Sequence, residues 1–166
     1  SSDGVNWVHS TYYGSNYSLS WMIKAVTSAN SDCSNLSLPY SANFTQCWTA
    51  SGGATVVDAN HASITSYGQK IVSPWLQSAP GKTYVAFTIV REDGVSWEQE
   101  NNNEQFTVTF ESANGSVEQE SGWPGISSYQ WEFQSNGGPI RVTFEYTGNS
   151  PVSVCQIADV HIFNYQ

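Results

Sequence analysis

The stretch SPWLQSAPGKTYVAFTIVRE, Ser73 to Glu92, decides the fold. Its second half alternates, with Val85, Phe87 and Ile89 on one side and Tyr84, Ala86, Thr88 and Val90 on the other. A period of two with one apolar side is the mark of a strand lying over a core. Pro80-Gly81-Lys82, just before it, reads as a turn, because proline presets φ and glycine accepts a positive φ. An apolar segment, a turn and an alternating strand make the first unit of an antiparallel sheet.

The pattern returns downstream. QFTVTFES (105–112) sets Phe106, Val108 and Phe110 against Thr107, Thr109 and Glu111. SYQWEFQS (128–135) sets Tyr129, Trp131 and Phe133 against Gln130, Glu132 and Gln134. IRVTFEY (140–146) sets Ile140, Val142, Phe144 and Tyr146 against Arg141, Thr143 and Glu145. The last run, SVCQIADVHIFNY (153–165), is apolar almost throughout, with Val160 and Ile162 expected inward. Between the runs lie EDG (92–94), ANGS (113–116), SNGGP (135–139) and TGNSP (147–151), all turn chemistry. The best helical window, SLSWMIKAVTS (18–28), reads equally well as a strand. Strands with one apolar and one polar face pack as two antiparallel sheets. No repeat or linker interrupts them, so residues 1–166 are expected to form one all-β sandwich.

Composition narrows the partners. Charged residues are 11% of the 166, well below the usual quarter or so, so the surface is filled by uncharged polar residues. Net charge is −9, with Lys24, Lys70, Lys82, Arg91 and Arg141 the only cationic residues. That argues against nucleic acid and anionic membrane surfaces, which need clustered cations. No apolar run of about 18 residues is present to insert into a bilayer. The N-terminal SSDGVNW shows no charged n-region or apolar h-region, so any signal peptide is expected to have been removed. Sequons at Asn16, Asn35, Asn43 and Asn114 point to a secretory route, though so Asn- and Ser-rich a chain produces some by chance. The three cysteines allow a Cys33–Cys47 bridge around NLSLPYSANFTQ, the pairing we expect, or a Cys47–Cys155 bridge leaving Cys33 free. Without a C-x-x-C spacing, thiol metal binding is not expected.

The order CWTASGGATVVDANHAS, YGQKIVSPWLQSAPGKTYVAFTIV, YQWEF, IRVTFEY and IADVHI resembles a known family. It is similar to the carbohydrate-binding modules of galactose-binding-like jelly-roll fold found beside xylanases and glucanases. The resemblance runs from about Leu38 to Tyr165; residues 1–37 read as added or divergent first strands. It implies a jelly-roll sandwich and glycan binding. The family's structural calcium site uses a carboxylate after a Phe near the start and another in the last strand. Thr45 and Ala158 stand at those places, so no cofactor is expected; calcium needs six to eight oxygens, mostly anionic.

Aromatic plates and planar polar groups divide the work of holding a sugar, whose ring faces are apolar and edges polar. The acidic, amide-rich loop REDGVSWEQENNNEQ (91–105) carries Trp97, and SGWPGISSYQW (121–131) carries Trp123 in a Pro-Gly loop. These two are expected to stack on a pyranose. Trp75, beside Pro74, either stacks outward with them or caps the core. Gln130, Glu132 and Arg141, on polar strand faces, are expected to bond hydroxyls. Trp131 and Trp48 read as core. Glycoside cleavage needs two convergent carboxylates, and Glu132 with Glu145 is the pair the strands offer. A secreted, non-catalytic, polysaccharide-binding module is the expectation. The alternatives are an adhesion or matrix domain that binds protein or its own copies, through Cys155 or Cys33, and a jelly-roll hydrolase or lyase.

Overall fold

The computed structural model describes residues 32–91, 104–124 and 128–165. The window at 18–28, Trp7, Trp21, Trp97 and the EDG motif lie outside them. Eleven strands are present among the described residues, and no helix. They are β1 (Leu36–Ser37), β2 (Tyr40–Ser41), β3 (Thr49–Ser51), β4 (Thr55–Val56), β5 (His61–Ser63) and β6 (Lys70–Val72). The long strands follow: β7 (Leu76–Arg91), β8 (Phe106–Ser112), β9 (Val117–Gly122), β10 (Ser128–Tyr146) and β11 (Cys155–Asn164). Every pairing is antiparallel except β1 on β7.

Two turns expected from the sequence are strand interior. Pro80-Gly81-Lys82 lies inside β7 and Ser135-Asn136-Gly137-Gly138-Pro139 inside β10. The two segments face each other, Gly81 opposite Ser135 and Pro80 opposite Asn136, within one unbroken register from Ser128↔Thr88 to Ile140↔Leu76. Across this point the inward positions change phase in both strands. In β7 they pass from Leu76 to Thr83, Val85, Phe87 and Ile89; in β10 from Phe133 and Ser135 to Ile140, Val142, Phe144 and Tyr146. The glycines take positive φ: +119° at Gly81 and +85° at both Gly137 and Gly138. Serine hydroxyls hold the irregular backbone: Ser78 Oγ donates to the Gly138 carbonyl (3.0 Å), and the Gly137 N–H donates to Ser135 Oγ (3.0 Å). So the turn chemistry is real, but the two motifs spend it together on a paired kink at a sandwich corner.

The kink divides each long strand between two sheets. In the first, the N-terminal half of β10 pairs with the C-terminal half of β7, which continues to β11, β5 and β4, with β2 also on β11. In the second, the C-terminal half of β10 lies between β8 and β6, with β9 and β3 outside. Their inner faces meet directly. Phe87 touches Phe106 at 5.8 Å, and Phe110 stacks on Phe133 at 5.1 Å between ring centroids. The expected alternation of β8 and β10, the inward Val160 and Ile162, and the packing of Trp48 and Trp131 all stand. β11 reads as apolar because its register shifts between Ala158 and His161, so Ile157 and Val160 both face in.

Cys33 and Cys47 form the disulfide, and Cys155 is buried and free. The alternative Cys47–Cys155 pairing is therefore corrected. Self-association through Cys33 or Cys155 is corrected with it, since neither offers an accessible thiol.

Candidate functional site

The outward face of the first sheet is a grid fixed by strand register. One row across β10, β7 and β11 is Glu132, Tyr84 and Phe163; the next is Gln130, Ala86 and His161, with Ser41 of β2 beyond. Ser128, Thr88 and Ala158 follow, with Asp159 bulging beside them, and Gln134 faces Lys82 at the other end. Rows on one face lie about 6.6 Å apart, two residues of strand rise.

Aromatic rings dominate one end of this grid. Tyr84 and Phe163 stack at 5.5 Å and an interplanar angle of 22°, and Tyr165 meets Tyr84 edge-on at 6.0 Å. Tyr165 is 71% exposed, so its ring is free for a ligand. Beside the cluster, Tyr84 OH donates to Glu132 Oε2 (2.8 Å), and Lys82 Nζ lies 3.1 Å from the same oxygen. Lys82 first, then Tyr84, holds the Glu132 carboxyl below the usual glutamate range. The same bonds raise the Lys82 ammonium and the Tyr84 phenol.

Next to the aromatic end the face opens into a groove of about 480 Å³, lined by Ala86, Thr88, Ser128, Gln130, Asp159 and His161. It exists because Ala86, a single methyl, stands in the middle of its row between larger side chains. The walls are preset. Asp159 accepts from Asn60 Nδ2 (2.9 Å) and Thr88 Oγ1 (3.0 Å), which hold its carboxyl below the usual range. Ser41 Oγ and His161 Nδ1 are hydrogen-bonded at 2.9 Å. His61 braces the turn before its strand through Asp58 (2.9 Å).

The six ligand residues expected from the sequence do not gather in one place. Gln130 and Glu132 lie on this face, as the strand alternation implied. Arg141 lies on the outward face of the second sheet, on the far side of the core, bonded through Nε and Nη2 to Glu111 Oε1 (2.9 and 2.6 Å). Its guanidinium covers the Trp75 ring at 4.5 Å from the centroid, so Trp75, 38% exposed, already has a partner on one face. Trp123 is half-buried. Its backbone N–H donates to Tyr129 OH (3.0 Å), which donates to the Trp123 carbonyl (2.9 Å), and its indole Nε1 is buried without a partner among the described residues. Trp97 lies outside the described residues. Glu132 and Glu145 stand on the outward faces of different sheets, and Glu145 faces Lys70 (3.6 Å) instead.

The calcium positions do not fit the ion. Thr45 Oγ1 donates to Asn43 Oδ1 (2.6 Å), and Ala158 presents a buried methyl. Among the described residues no group of three or more His, Cys, Asp or Glu could hold a metal.

No protein-family model matches the chain, and no curated protein matches it. Among solved structures it is similar to an exo-β-1,3-galactanase from Phanerochaete chrysosporium, with 14% identity and a TM-score of 0.51 over 75% of this chain and 29% of that one. It is similar to a family GH115 4-O-methyl-α-glucuronidase with specificity for decorated arabinogalactans: 10% identity, TM-score 0.51, 76% of this chain and 18% of the other. The C-terminal CBM6 of LamC from Zobellia galactanivorans matches over 75% of this chain and 98% of that one, at 9% identity and a TM-score of 0.47. The chain thus spans less than a third of either enzyme. These similarities concern the fold alone, an antiparallel β-sandwich.

Proposed function

We propose that the chain is a secreted, non-catalytic glycan-binding module whose ligand lies along the outward face of β10, β7 and β11. The observation that carries this reading is the Tyr84–Phe163–Tyr165 cluster, in which exposed Tyr165 stands over the half-buried Tyr84 and Phe163, set beside Glu132 and Lys82 and running into the groove over Ala86. The rings offer apolar plates for the C–H face of a pyranose. Glu132 accepts from hydroxyls, Lys82 donates, and Gln130 can do both. A neutral or weakly polar polysaccharide suits a face whose two carboxylates are already engaged, Glu132 by Lys82 and Tyr84 and Asp159 by Asn60 and Thr88. The Cys33–Cys47 disulfide supports an oxidising, extracellular setting.

A glycan array tests the function, and two variants test the face. Tyr165→Ala removes an exposed ring, worth about 0.5–1.5 kcal/mol beyond area burial, so affinity should fall several-fold with the melting temperature unchanged. Ala86→Leu should fill the groove and abolish binding at little cost to stability, because its side chain points outward. No binding to any glycan on the array would end the functional reading. Binding untouched by both variants would move the ligand elsewhere, with Trp97 and Trp123 the next residues to replace.

A further inference from the structure

We propose that Asn114, at the tip of the β8–β9 hairpin, is an N-glycosylation site. Asn114-Gly115-Ser116 meets the acceptor requirement in sequence, and the hairpin gives it shape. Asn114 Oδ1 accepts from the Ser116 N–H (3.0 Å) and from Ser116 Oγ (3.0 Å). Both bonds go to the oxygen and leave Nδ2 without a hydrogen bond among the described residues. The middle residue, Gly115, has φ +93°, and a Cβ built on it meets nothing within 4 Å. All residues from Ala113 to Ser121 are exposed, so the tip stands clear of the sandwich.

Asn43-Phe44-Thr45 shares the bonding, with Thr45 N–H and Oγ1 both donating to Asn43 Oδ1, but not the setting. Its middle residue, Phe44, is 1% exposed and packs on Trp48 at 4.8 Å, so the segment lies down on the core. At Asn35-Leu36-Ser37 the amide Nδ2 is turned to Ser34 Oγ (3.3 Å), and Leu36-Ser37 is tied into β1. Asn16 lies outside the described residues. Among the described sequons, Asn114 is therefore the one whose nitrogen is both free and open.

The modification transfers an oligosaccharide from a polyprenyl diphosphate. The Nδ2–C1 bond forms as the C1–O bond to diphosphate breaks; the diphosphate leaves with that electron pair, and the amide proton passes to a base of the transferase. A glycan at this tip is compatible with the proposed binding face. The Ala113 N–H donates to the Pro139 carbonyl (3.0 Å), which places the tip beside the β10 kink. Gln130 is nine residues earlier in β10, beyond the kink, about 30 Å along the chain at strand rise.

The test is the full chain secreted from a eukaryotic host, with glycans removed by peptide-N-glycosidase and the protein cut after glutamate. The fragment Ser112–Glu118 should carry Asp in place of Asn114, one mass unit heavier, only after the enzyme treatment, and a parallel incubation without the enzyme reads the spontaneous deamidation of the Asn114-Gly115 pair. Asn114→Gln and Ser116→Ala should each lose one gel-mobility step, and Ser116→Thr should retain it. If Asn114→Gln fails to be secreted, Ser116→Ala reads the same site with the asparagine in place. An unmodified Asn114 in the secreted protein overturns the proposal, whether or not other sequons are occupied. Glycan-array binding is read separately, so loss of one proposal leaves the other standing.

Discussion

At the scale of single residues, Glu132 shows how much an exposed carboxylate can be committed before a ligand arrives. Lys82 and Tyr84 both bond its Oε2 and hold its pKa below the usual glutamate range. A depressed pKa means that its charge, and whatever it contributes to folding, is present at neutral pH and persists below the ordinary carboxylate range. It is lost only as pH falls through the lowered folded value. Glycan binding should follow the same course on its acid side. Glu132→Gln keeps the shape but replaces charge-assisted hydrogen bonds by weaker neutral ones, so affinity at pH 7 should drop. Titrating wild type and variant side by side between pH 3 and 7 checks this, because Asp159, His161 and Lys82 remain in both. Parallel profiles would remove Glu132 from the site. The sequence made Glu132 and Gln130 legible as outward residues by alternation alone. It gave no sign that Tyr84, Phe163 and Tyr165 would cluster, because that depends on cross-strand register between positions about 80 residues apart. Tryptophan, the larger ring, drew the expectation away from them, although Tyr84 was already visible opposite Val85.

At the scale of elements, alternation gave the strands and glycine gave the punctuation, but local chemistry cannot say whether a glycine ends a strand or bends it. ANGS is a hairpin turn, closed by Gly115 N–H to the Ser112 carbonyl (2.9 Å). PGK and SNGGP carry turn-forming glycine as well, yet bend two paired strands through a corner. The difference lies in the partner strand, which only the fold supplies. Gly137 and Gly138 separate the two demands made there. Both sit at φ +85°, where an L side chain costs about 1–2 kcal/mol. A Cβ on Gly137 would also meet Pro80 Cγ at 3.0 Å and Cδ at 3.1 Å, whereas one on Gly138 meets nothing within 4 Å. Gly137→Ala should therefore destabilise more than Gly138→Ala, with each kcal/mol lowering the melting temperature by about 2–4 °C. Equal losses in thermal melts would mean that Pro80 yields freely and only the backbone needs glycine.

At the scale of the whole molecule, the first described strands are short, and something must hold them to the long ones. β1 pairs over two residues with β7, and β2 over two with β11. Phe44 is buried in the core against Trp48, and the disulfide closes the segment, with Cys33 and Cys47 separated by 14 positions. A loop of about 15 residues removes roughly 3 kcal/mol of unfolded-state freedom when cross-linked. The paired substitution Cys33→Ser with Cys47→Ser should accordingly lower the melting temperature by about 6–12 °C. Cys155 provides the control. Burial pushes its thiol up to about 12, with Arg91 pulling weakly the other way, so it is a poor nucleophile at neutral pH as well as an inaccessible one. A thiol reagent should find no reactive cysteine in the native chain and one after denaturation without reductant. One reactive thiol per native chain would mean that the cover over Cys155 opens in solution, and Cys155→Ala would then abolish the reaction.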